Sequence, residues 1–388
     1  MTTGTVYLHI GEPKCGTTFL QDVLFQHRDE LAHHGLEVPG IDINDHFRAA
    51  QDILGAEQAP DDPGGTWAGA WDALAKAAKS TSRRSAIITH ELFCGADDAQ
   101  AARAIGSLAG VDVHVILTIR DLAGLLPAEW QETVKHKNVR TWHDWLGDII
   151  DTPPRRRRPR ARWFWAAHDT VRVVNRWSAL VGTDHVHVVT VPPSSAPRDL
   201  LWRRFAQAIG VGDIEIELGE TKANQSLGVA EVEMLRRLNA RLADVPLWFY
   251  SRHVKGKLAH GLLAERGRGK RLQVPEERQE WVREQSARRI RRLRQTGVEV
   301  IGDLQELAAP KVFPPGVQPE DITDAEVLEV ALDTLGTQYQ RRYARASDVS
   351  RLNKLARNAA PSVLRYTPFR RGRSAAWKLA DVVRRHRS

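Results

Sequence analysis

Short apolar segments and helical patterns alternate along the first two thirds of this chain, and this alternation constrains the fold most. Four segments rich in Val and Ile have the length and composition of buried strands: residues 5–10, 85–89, 111–119 and 185–191. Helical patterns separate them: one begins at Thr17, and two others cover residues 67–78 and 199–209. Strands that alternate with helices favour a parallel sheet flanked by helices, so the sequence predicts an α/β fold.

The strand pattern fades after residue 219, and the rest of the chain reads as helical. Apolar residues at helical spacing mark an amphipathic helix at 232–242, and Pro275 opens another. Thr323 and Glu326, three residues apart, predict a capping box on a short helix. We therefore expect an α/β domain at 1–307, a Pro-rich linker at 308–320 and a helical, strongly basic C-terminal extension at 321–388.

The charge of the chain is concentrated in this extension. The whole protein of 388 residues has a net charge of +8, but residues 339–388 contain fourteen Arg or Lys and only two Asp or Glu. The remaining residues are therefore slightly acidic, so the high isoelectric point does not indicate a nucleic-acid binder. The basic tail at 375–387 predicts an amphipathic helix that binds an anionic membrane surface, a plain solvated helix, or a segment docked on the acidic body.

Composition excludes several classes of protein. Hydrophobic residues make up 42% of the chain and charged residues 27%, as in globular proteins. No apolar run is long enough to span a membrane, and the first residues lack the pattern of a secretory signal. Two cysteines, Cys15 and Cys94, are too few for a disulfide framework or a four-ligand zinc site. We expect a cytoplasmic protein, with membrane association through the tail as an open alternative.

The segment GEPKCGTT, residues 11–18, joins the first predicted strand to the first helix and has the composition of an anion-binding loop. Its two glycines allow the backbone to bend towards a ligand, and the helix N-terminus adds partial positive charge. The spacing matches a P-loop except that Thr17 follows the second glycine, whereas the lysine, Lys14, lies inside the loop. This position suits a ligand with one group beyond its first 5′-phosphate.

Two segments resemble the sulfotransferase family. HIGEPKCGTTFLQ at 9–21 is similar to that family's 5′-phosphosulfate loop, with Cys15 at its variable position. TIRDLAGLLPAEW at 118–130 is similar to its 3′-phosphate segment, since Arg120, Asp121 and Trp130 fit the pattern. The departures from the family's proline, second arginine and serine are Leu122, Leu125 and Ala128. The resemblance implies a P-loop-like sulfotransferase fold and the sulfuryl donor 3′-phosphoadenosine 5′-phosphosulfate (PAPS).

The resemblance also implies roles for individual residues. Lys14 would stabilise the leaving oxygen, and Gly16, Thr17 and Thr18 would hold the 5′-phosphate. Arg120 would bind the 3′-phosphate. Because Ala128 removes a hydroxyl there, a second donor is expected from the segment SRHVKGK, where the candidates are Arg252, Lys255 and Lys257.

An acceptor hydroxyl, or less favourably an amine, must lose a proton during transfer, and this requires a general base. His90 and Glu91 follow the second predicted strand, and ligands of open α/β sheets lie at the carboxyl ends of strands. We favour Glu91 over His90 as the base. The competing interpretation is that one of them caps the next helix or pairs with an arginine.

The alternatives to a sulfotransferase are a P-loop nucleotide kinase and a non-catalytic nucleotide- or membrane-binding protein. The lysine is misplaced for a kinase, and no Mg²⁺-binding aspartate follows a strand. No group of His, Cys, Asp and Glu residues has the spacing of a metal site, so no metal is expected. The acceptor is a small molecule, a lipid or a glycan, and nucleic acid is not expected as a partner.

Other features are open to two interpretations each. Trp67 and Trp71 on one predicted helix belong to the core, or Trp67 stacks on adenine. The cluster Trp163, Phe164, Trp165 and His168 packs in the core or lines an acceptor pocket. The arginine run at 155–162 is a solvated loop or an electropositive rim, since Pro keeps it out of a helix interior. Asn224 and Ser226 cap a helix or approach the nucleotide, and Cys15 at a helix start is expected to have a lowered pKa.

Overall fold

The structure is a computed structural model of the chain. It describes residues 4–58, 66–81, 84–212, 214, 216–218, 227–267 and 269–363, with side chains as far as residue 347. The predictions for Asn224 and Ser226 and for the tail at 375–387 concern residues outside these ranges.

Six parallel strands form one sheet in the order β2-β3-β1-β4-β5-β6. The strands are β1 Thr5–Gly11, β2 Leu36–Glu37, β3 Ser85–Thr89, β4 Asp112–Ile119, β5 Val186–Thr190 and β6 Glu299–Ile301. The parallel α/β fold and the four predicted strands are therefore confirmed. Strands β2 and β6 were not predicted, because two or three residues at the sheet edges are too few to show a pattern.

Helices cover both faces of this sheet. They are α1 Thr17–Gln26, α2 Arg28–His33, α3 Ile43–Ile53, α4 Ala70–Lys79, α5 Asp98–Ser107, α6 Leu122–Lys135, α7 Trp142–Ile150, α8 Pro159–His168, α9 Thr170–Val181, α10 Leu200–Ala208, α11 Val229–Arg241, α12 Leu247–Tyr250, α13 Glu276–Arg294 and α14 Asp324–Val363. A π-helical segment, Ser251–Leu263, follows α12, and 3₁₀ turns lie at Glu91–Gly95, Pro154–Arg156, Thr183–His185, Leu304–Leu307 and Pro319–Asp321. None of the helices in the described residues is both long and apolar enough for a membrane span.

The alternation of side chains along the strands produces two cores. Ile88 of β3 faces a layer that includes α4, α5, α9 and α13, whereas its neighbour Ile87 faces α1 and α10 on the other side of the sheet. A third apolar cluster is mainly helical and contains the stacked rings of Trp142 and Trp145. These layers fix the carboxyl ends of the central strands, where the loops after β1, β3 and β4 are neighbours.

The chain divides into two compact units, residues 1–331 and 332–388. Helix α14 begins in the first unit with the predicted capping box: the Glu326 N–H donates to Thr323 Oγ1, and the Thr323 N–H donates to Glu326 Oε2. The expectation of a short helix was wrong, because α14 continues to Val363. The sequence after the capping box is rich in Ala, Leu and Arg and contains no proline before Pro361, so the helix has no early stop.

The arginine run is partly helical, which corrects its assignment to a loop. Pro159 is the first residue of α8, a position where proline is tolerated because its missing N–H would be unpaired anyway. Arg160 and Arg162 therefore lie on the helix. Arg157, which precedes it, stacks over the Trp165 ring at 4.8 Å.

Candidate active site

The loop between β1 and α1 lies at the centre of the carboxyl edge of the sheet. Strand β1 pairs with β3 on one side and β4 on the other, so the residues after these three strands meet at this edge. The β1–β4 register shifts between His9 and Gly11, directly before the loop. In open α/β sheets, ligands bind in the crevice at the carboxyl ends of neighbouring central strands, where this loop lies.

The backbone of this loop is shaped to bring N–H groups towards a ligand. Lys14 (φ 61°) and Gly16 (φ 78°) both have left-handed conformations. A Cβ at Gly16 would lie 2.4 Å from Leu201 Cδ2, so a larger residue there would have to displace this side chain as well as adopt the left-handed conformation. Helix α1 begins at Thr17 with no side-chain cap and no acidic residue in its first turn. Its first N–H groups are thus available to an anion.

Lys14 belongs to a cluster of cations around Glu132 of α6. Lys14 Nζ donates to Glu132 Oε2 at 2.6 Å, and Lys255 Nζ lies 2.9 Å from Oε1. Lys135 is 3.6 Å from the same carboxylate. Burial raises the pKa of Glu132, but the His136 hydrogen bond and the lysine charges outweigh it and lower this pKa. Three ammonium groups around one carboxylate leave excess positive charge beside the loop.

Arg120 follows β4 and reaches the same loop. Its Nη1 donates to the Lys14 carbonyl at 3.3 Å. Its Nε is buried and makes no hydrogen bond within the described structure, although the Asp121 carboxylate lies 3.6 Å away. A buried guanidinium donor without an acceptor is costly unless a ligand satisfies it. This residue therefore fits a second anionic group of a ligand that also occupies the loop.

Glu91 follows β3 and packs against the start of the loop. A Cβ at Gly11 would lie 2.7 Å from Glu91 Cα, so only glycine allows this approach. Gln21 of α1 donates its Nε2–H to Glu91 Oε2 at 3.0 Å. Burial raises the pKa of Glu91, but the charge that His90 carries when protonated in acid, the Gln21 hydrogen bond and the charge of Lys14 outweigh it. The net shift lowers this pKa, so the carboxylate is charged at neutral pH.

His90 serves as the cap of the 3₁₀ turn Glu91–Gly95. The Leu92 N–H donates to His90 Nδ1 at 3.2 Å, so in the neutral ring the proton lies on Nε2. Burial lowers the pKa of His90 despite the opposing charge of Glu91, and the ring is neutral at pH 7. Both ring nitrogens are then engaged or protonated, which leaves no free lone pair for proton abstraction.

A network of buried charged and polar side chains, which the sequence did not predict, holds the loop after β1 in place. Glu12 is fully buried and pairs with Arg289 at 2.8 Å and with His168 Nδ1 at 3.2 Å, and it also accepts from the Thr170 hydroxyl. Glu129 lies 3.4 Å from the other nitrogen of His168. These partners are more than 100 residues from Glu12 in sequence. The only local signal for them was the carboxylate of Glu12 itself, which needs a positively charged partner when buried.

The remaining predicted residues are placed as follows. At the start of α1, Thr17 is buried and Thr18 is exposed. In the segment 251–257, Arg252 and Lys257 are exposed, whereas Lys255 reaches the cluster around Glu132. Trp71 is fully buried in the core, whereas Trp67 precedes α4 and packs against Phe47. Trp163 and Phe164 line a cavity of about 260 Å³ together with Arg160.

The prediction of a lowered pKa for Cys15 was wrong. Cys15 is completely buried, and burial raises the pKa of its thiol well above the ordinary value. Desolvation of the thiolate here outweighs the nearby positive charges, including that of Arg120.

Comparisons with known proteins give limited information about this chain. No known family's sequence profile matches it, and a search of curated proteins finds no match. Among solved structures, the chain is similar to the crystal structure of a sulfotransferase from Alicyclobacillus acidocaldarius. The identity is 16% and the TM-score is 0.39, over 64% of this chain and 95% of that chain.

Proposed function

We propose that this protein is a sulfotransferase that moves a sulfuryl group from PAPS to an acceptor hydroxyl or amine. The observation that carries the proposal is the meeting of three features at one sheet edge: the uncapped loop containing Lys14, the Arg120 guanidinium and the Glu91 carboxylate. Each follows a different central strand, and together they match the needs of a donor with two separate anionic groups and an acceptor that must be deprotonated.

The donor is bound by charge and by backbone dipoles. The N–H groups of Gly16, Thr17 and Thr18 hold the 5′-phosphate at the start of α1. Arg120, whose Nε–H makes no hydrogen bond to any described residue although Asp121 lies 3.6 Å away, offers its guanidinium to the 3′-phosphate. Lys255 shares the Glu132 carboxylate with Lys14 and adds a further positive charge beside the loop.

Lys14 stabilises the negative charge that develops on the leaving oxygen. Sulfuryl transfer requires an in-line approach and stabilisation of this oxygen, as phosphoryl transfer does. Glu132 holds the Lys14 ammonium at the mouth of the loop, and Lys135 and Lys255 share the same carboxylate. Donation from Lys14 to the oxygen lowers the barrier because this interaction strengthens as charge moves onto it.

Glu91 removes the acceptor proton. Its pKa is lowered from a value already well below 7, so it is deprotonated at neutral pH, and Gln21 fixes one of its oxygens. The other oxygen is then available to an acceptor. His90 is the weaker candidate, because its Nδ1 lone pair is already used by the Leu92 N–H. Its role is to cap the turn that carries Glu91.

The test is transfer of ³⁵S from labelled PAPS to pooled phenolic, glycan and lipid acceptors in the presence of EDTA. We expect transfer by the wild-type protein and a loss of roughly 10²–10⁴-fold in kcat for Glu91→Gln. His90→Gln should retain activity to within about tenfold, because it affects a cap rather than the proton transfer. A loss in His90→Gln equal to that in Glu91→Gln contradicts the assignment of the base, and a strict Mg²⁺ requirement contradicts the reaction.

A further inference from the structure

A group of histidines and carboxylates lies at the opposite, amino-terminal edge of the sheet. Asp112 and His114 stand two residues apart at the start of β4, and His187 of β5 stacks on His114 with ring centroids 5.1 Å apart. His185 of the preceding 3₁₀ turn and Glu299 of β6 complete this histidine cluster. Since β4 has eight residues, the cluster is about 23 Å from Arg120. The proposed sulfuryl transfer uses none of these residues.

The hydrogen bonds of His185 fix the position of its ring proton. Its Nδ1 lies 2.7 Å from the Val181 carbonyl oxygen, which can only accept, so Nδ1 carries the hydrogen. In the neutral ring, Nε2 then presents a lone pair. That nitrogen faces Asp112 Oδ1 at 3.4 Å.

The same argument applies to His114 through His187. His187 Nδ1 bonds the Glu299 carboxylate, so it carries the hydrogen, and in the neutral ring His187 Nε2 is an acceptor. His114 Nδ1 lies 2.8 Å from that nitrogen and must donate to it. His114 Nε2 is then left with a lone pair directed at Asp112 Oδ2, 3.2 Å away.

With these rings neutral, two imidazole lone pairs and one carboxylate converge with no proton between them. Such an arrangement is repulsive unless a cation occupies the space that the three groups share. The ligand atoms of Asp112, His114 and His185 all lie within 4.8 Å of one another, and all three residues are half-buried. Around a tetrahedral Zn²⁺ with bonds of about 2.0–2.1 Å, ligand atoms are separated by about 3.3 Å. The contacts of His114 Nε2 with Asp112 Oδ2 at 3.2 Å and of His185 Nε2 with Asp112 Oδ1 at 3.4 Å are close to this separation, although they involve different carboxylate oxygens.

We propose that Asp112, His114 and His185 bind a divalent transition metal of the zinc class, with water as the fourth ligand. The Val181 carbonyl and the His187–Glu299 pair orient the two imidazoles from outside, as outer ligands do in zinc sites. The metal ties the turn before β5 to the start of β4 and therefore stabilises the fold. Sequence spacing did not reveal this site, because His185 is 71 residues from His114.

The test is calorimetric titration of Zn²⁺ into untagged, metal-stripped protein, with thermal unfolding measured in parallel. We expect one saturable site per chain, a higher Tm with Zn²⁺ and the visible absorption of tetrahedral Co²⁺ when that ion is used instead. Asp112→Asn and His185→Gln should each weaken binding by at least about 100-fold, and His187→Gln by about tenfold. His143→Gln, a change at an exposed histidine of α7, is the matched control and should bind as the wild type does.

Circular dichroism establishes that each variant is folded before titration, and the partly exposed Asp112 and His185 tolerate these polar replacements. Absence of saturable Zn²⁺ binding by the wild-type protein overturns the proposal. So does Zn²⁺ binding that is unchanged in both Asp112→Asn and His185→Gln, because the metal would then lie elsewhere. Neither result bears on the binding of PAPS at the other edge of the sheet.

Discussion

Glu12 in the loop after β1 and Arg289 in α13 form a buried ion pair at 2.8 Å, although 277 residues separate them in sequence. Arg289 also donates through Nη1 to the Arg120 carbonyl at 2.7 Å. One guanidinium therefore anchors both the loop after β1 and the backbone of Arg120. The geometry of the site depends on this distant residue as much as on the loop itself.

Replacement of Arg289 by Met should destabilise the protein strongly. It leaves the Glu12 carboxylate buried with less positive charge around it, a change that costs about 3–5 kcal/mol. Urea denaturation measures the free energy of unfolding. Arg288→Met, at the neighbouring exposed position of the same helix, is the matched control and should change it by less than about 0.5 kcal/mol. Equal effects of the two substitutions would show that the buried pair does not stabilise the fold.

The stability of the protein should fall as pH rises from about 6.5 to 9, in part because of His168. Burial opposes its charge, but the hydrogen bond to Glu12 and the Glu129 carboxylate 3.4 Å from its other nitrogen raise the pKa of His168 to about 9. The charged form therefore stabilises the fold fully below pH 6.5, and this contribution of about 3 kcal/mol is lost as pH rises through 9. Urea denaturation across this range should show the decline in wild type and a smaller one in His168→Gln. Identical pH profiles for the two proteins would contradict the raised pKa.

Gly11→Ala should disturb the site more than the backbone strain alone explains. Gly11 (φ 88°) and Gly69 (φ 79°) share a left-handed conformation, but a Cβ at Gly69 meets nothing within 4 Å, whereas one at Gly11 meets Glu91 Cα at 2.7 Å. Each alanine lowers the free energy of unfolding by about 1 kcal/mol or more because of the left-handed conformation. Gly11→Ala lowers it further because it must also displace Glu91. Denaturation of both variants separates the two effects. A smaller cost for Gly11→Ala than for Gly69→Ala would contradict the close contact.

Neither cysteine should react in the native protein. Cys15 and Cys94 are both buried, and burial raises the pKa of each thiol well above its ordinary value. Thiolate is the reactive form, so a disulfide reagent such as DTNB should modify both only after unfolding in guanidinium. Rapid modification of the native protein at pH 7.5 would show that one thiol is accessible and activated.

The fold was largely predictable from the sequence, because the central strands are apolar runs whose two faces are both buried. The loop residues were predictable for a similar reason: glycine, lysine and threonine at a strand–helix junction form a local pattern. The partners that orient them were not. Gln21 on Glu91 and Glu132 on Lys14 are separated from them by 70 and 118 residues, and only the packing of helices on the sheet brings them together.

Charge states were the least predictable property. The helix N-terminus suggested an acidic thiol at Cys15, yet complete burial has the larger and opposite effect on its pKa. The preference for Glu91 over His90 could not be argued from sequence position, since the residues are adjacent. The use of His90 Nδ1 by the Leu92 N–H is a property of the turn, and it appears only in three dimensions.

Binding of adenosine 3′,5′-bisphosphate in EDTA, measured by calorimetry, tests the central claim most directly. We predict micromolar or tighter binding, with ADP about 10–100-fold weaker because it lacks the phosphate assigned to Arg120. Lys14→Ala should weaken the bisphosphate, whereas Lys137→Ala, at the other left-handed lysine (φ 67°), should not. Binding of ATP–Mg²⁺ without binding of the bisphosphate would contradict the account and assign the loop to a nucleotide kinase or another P-loop protein.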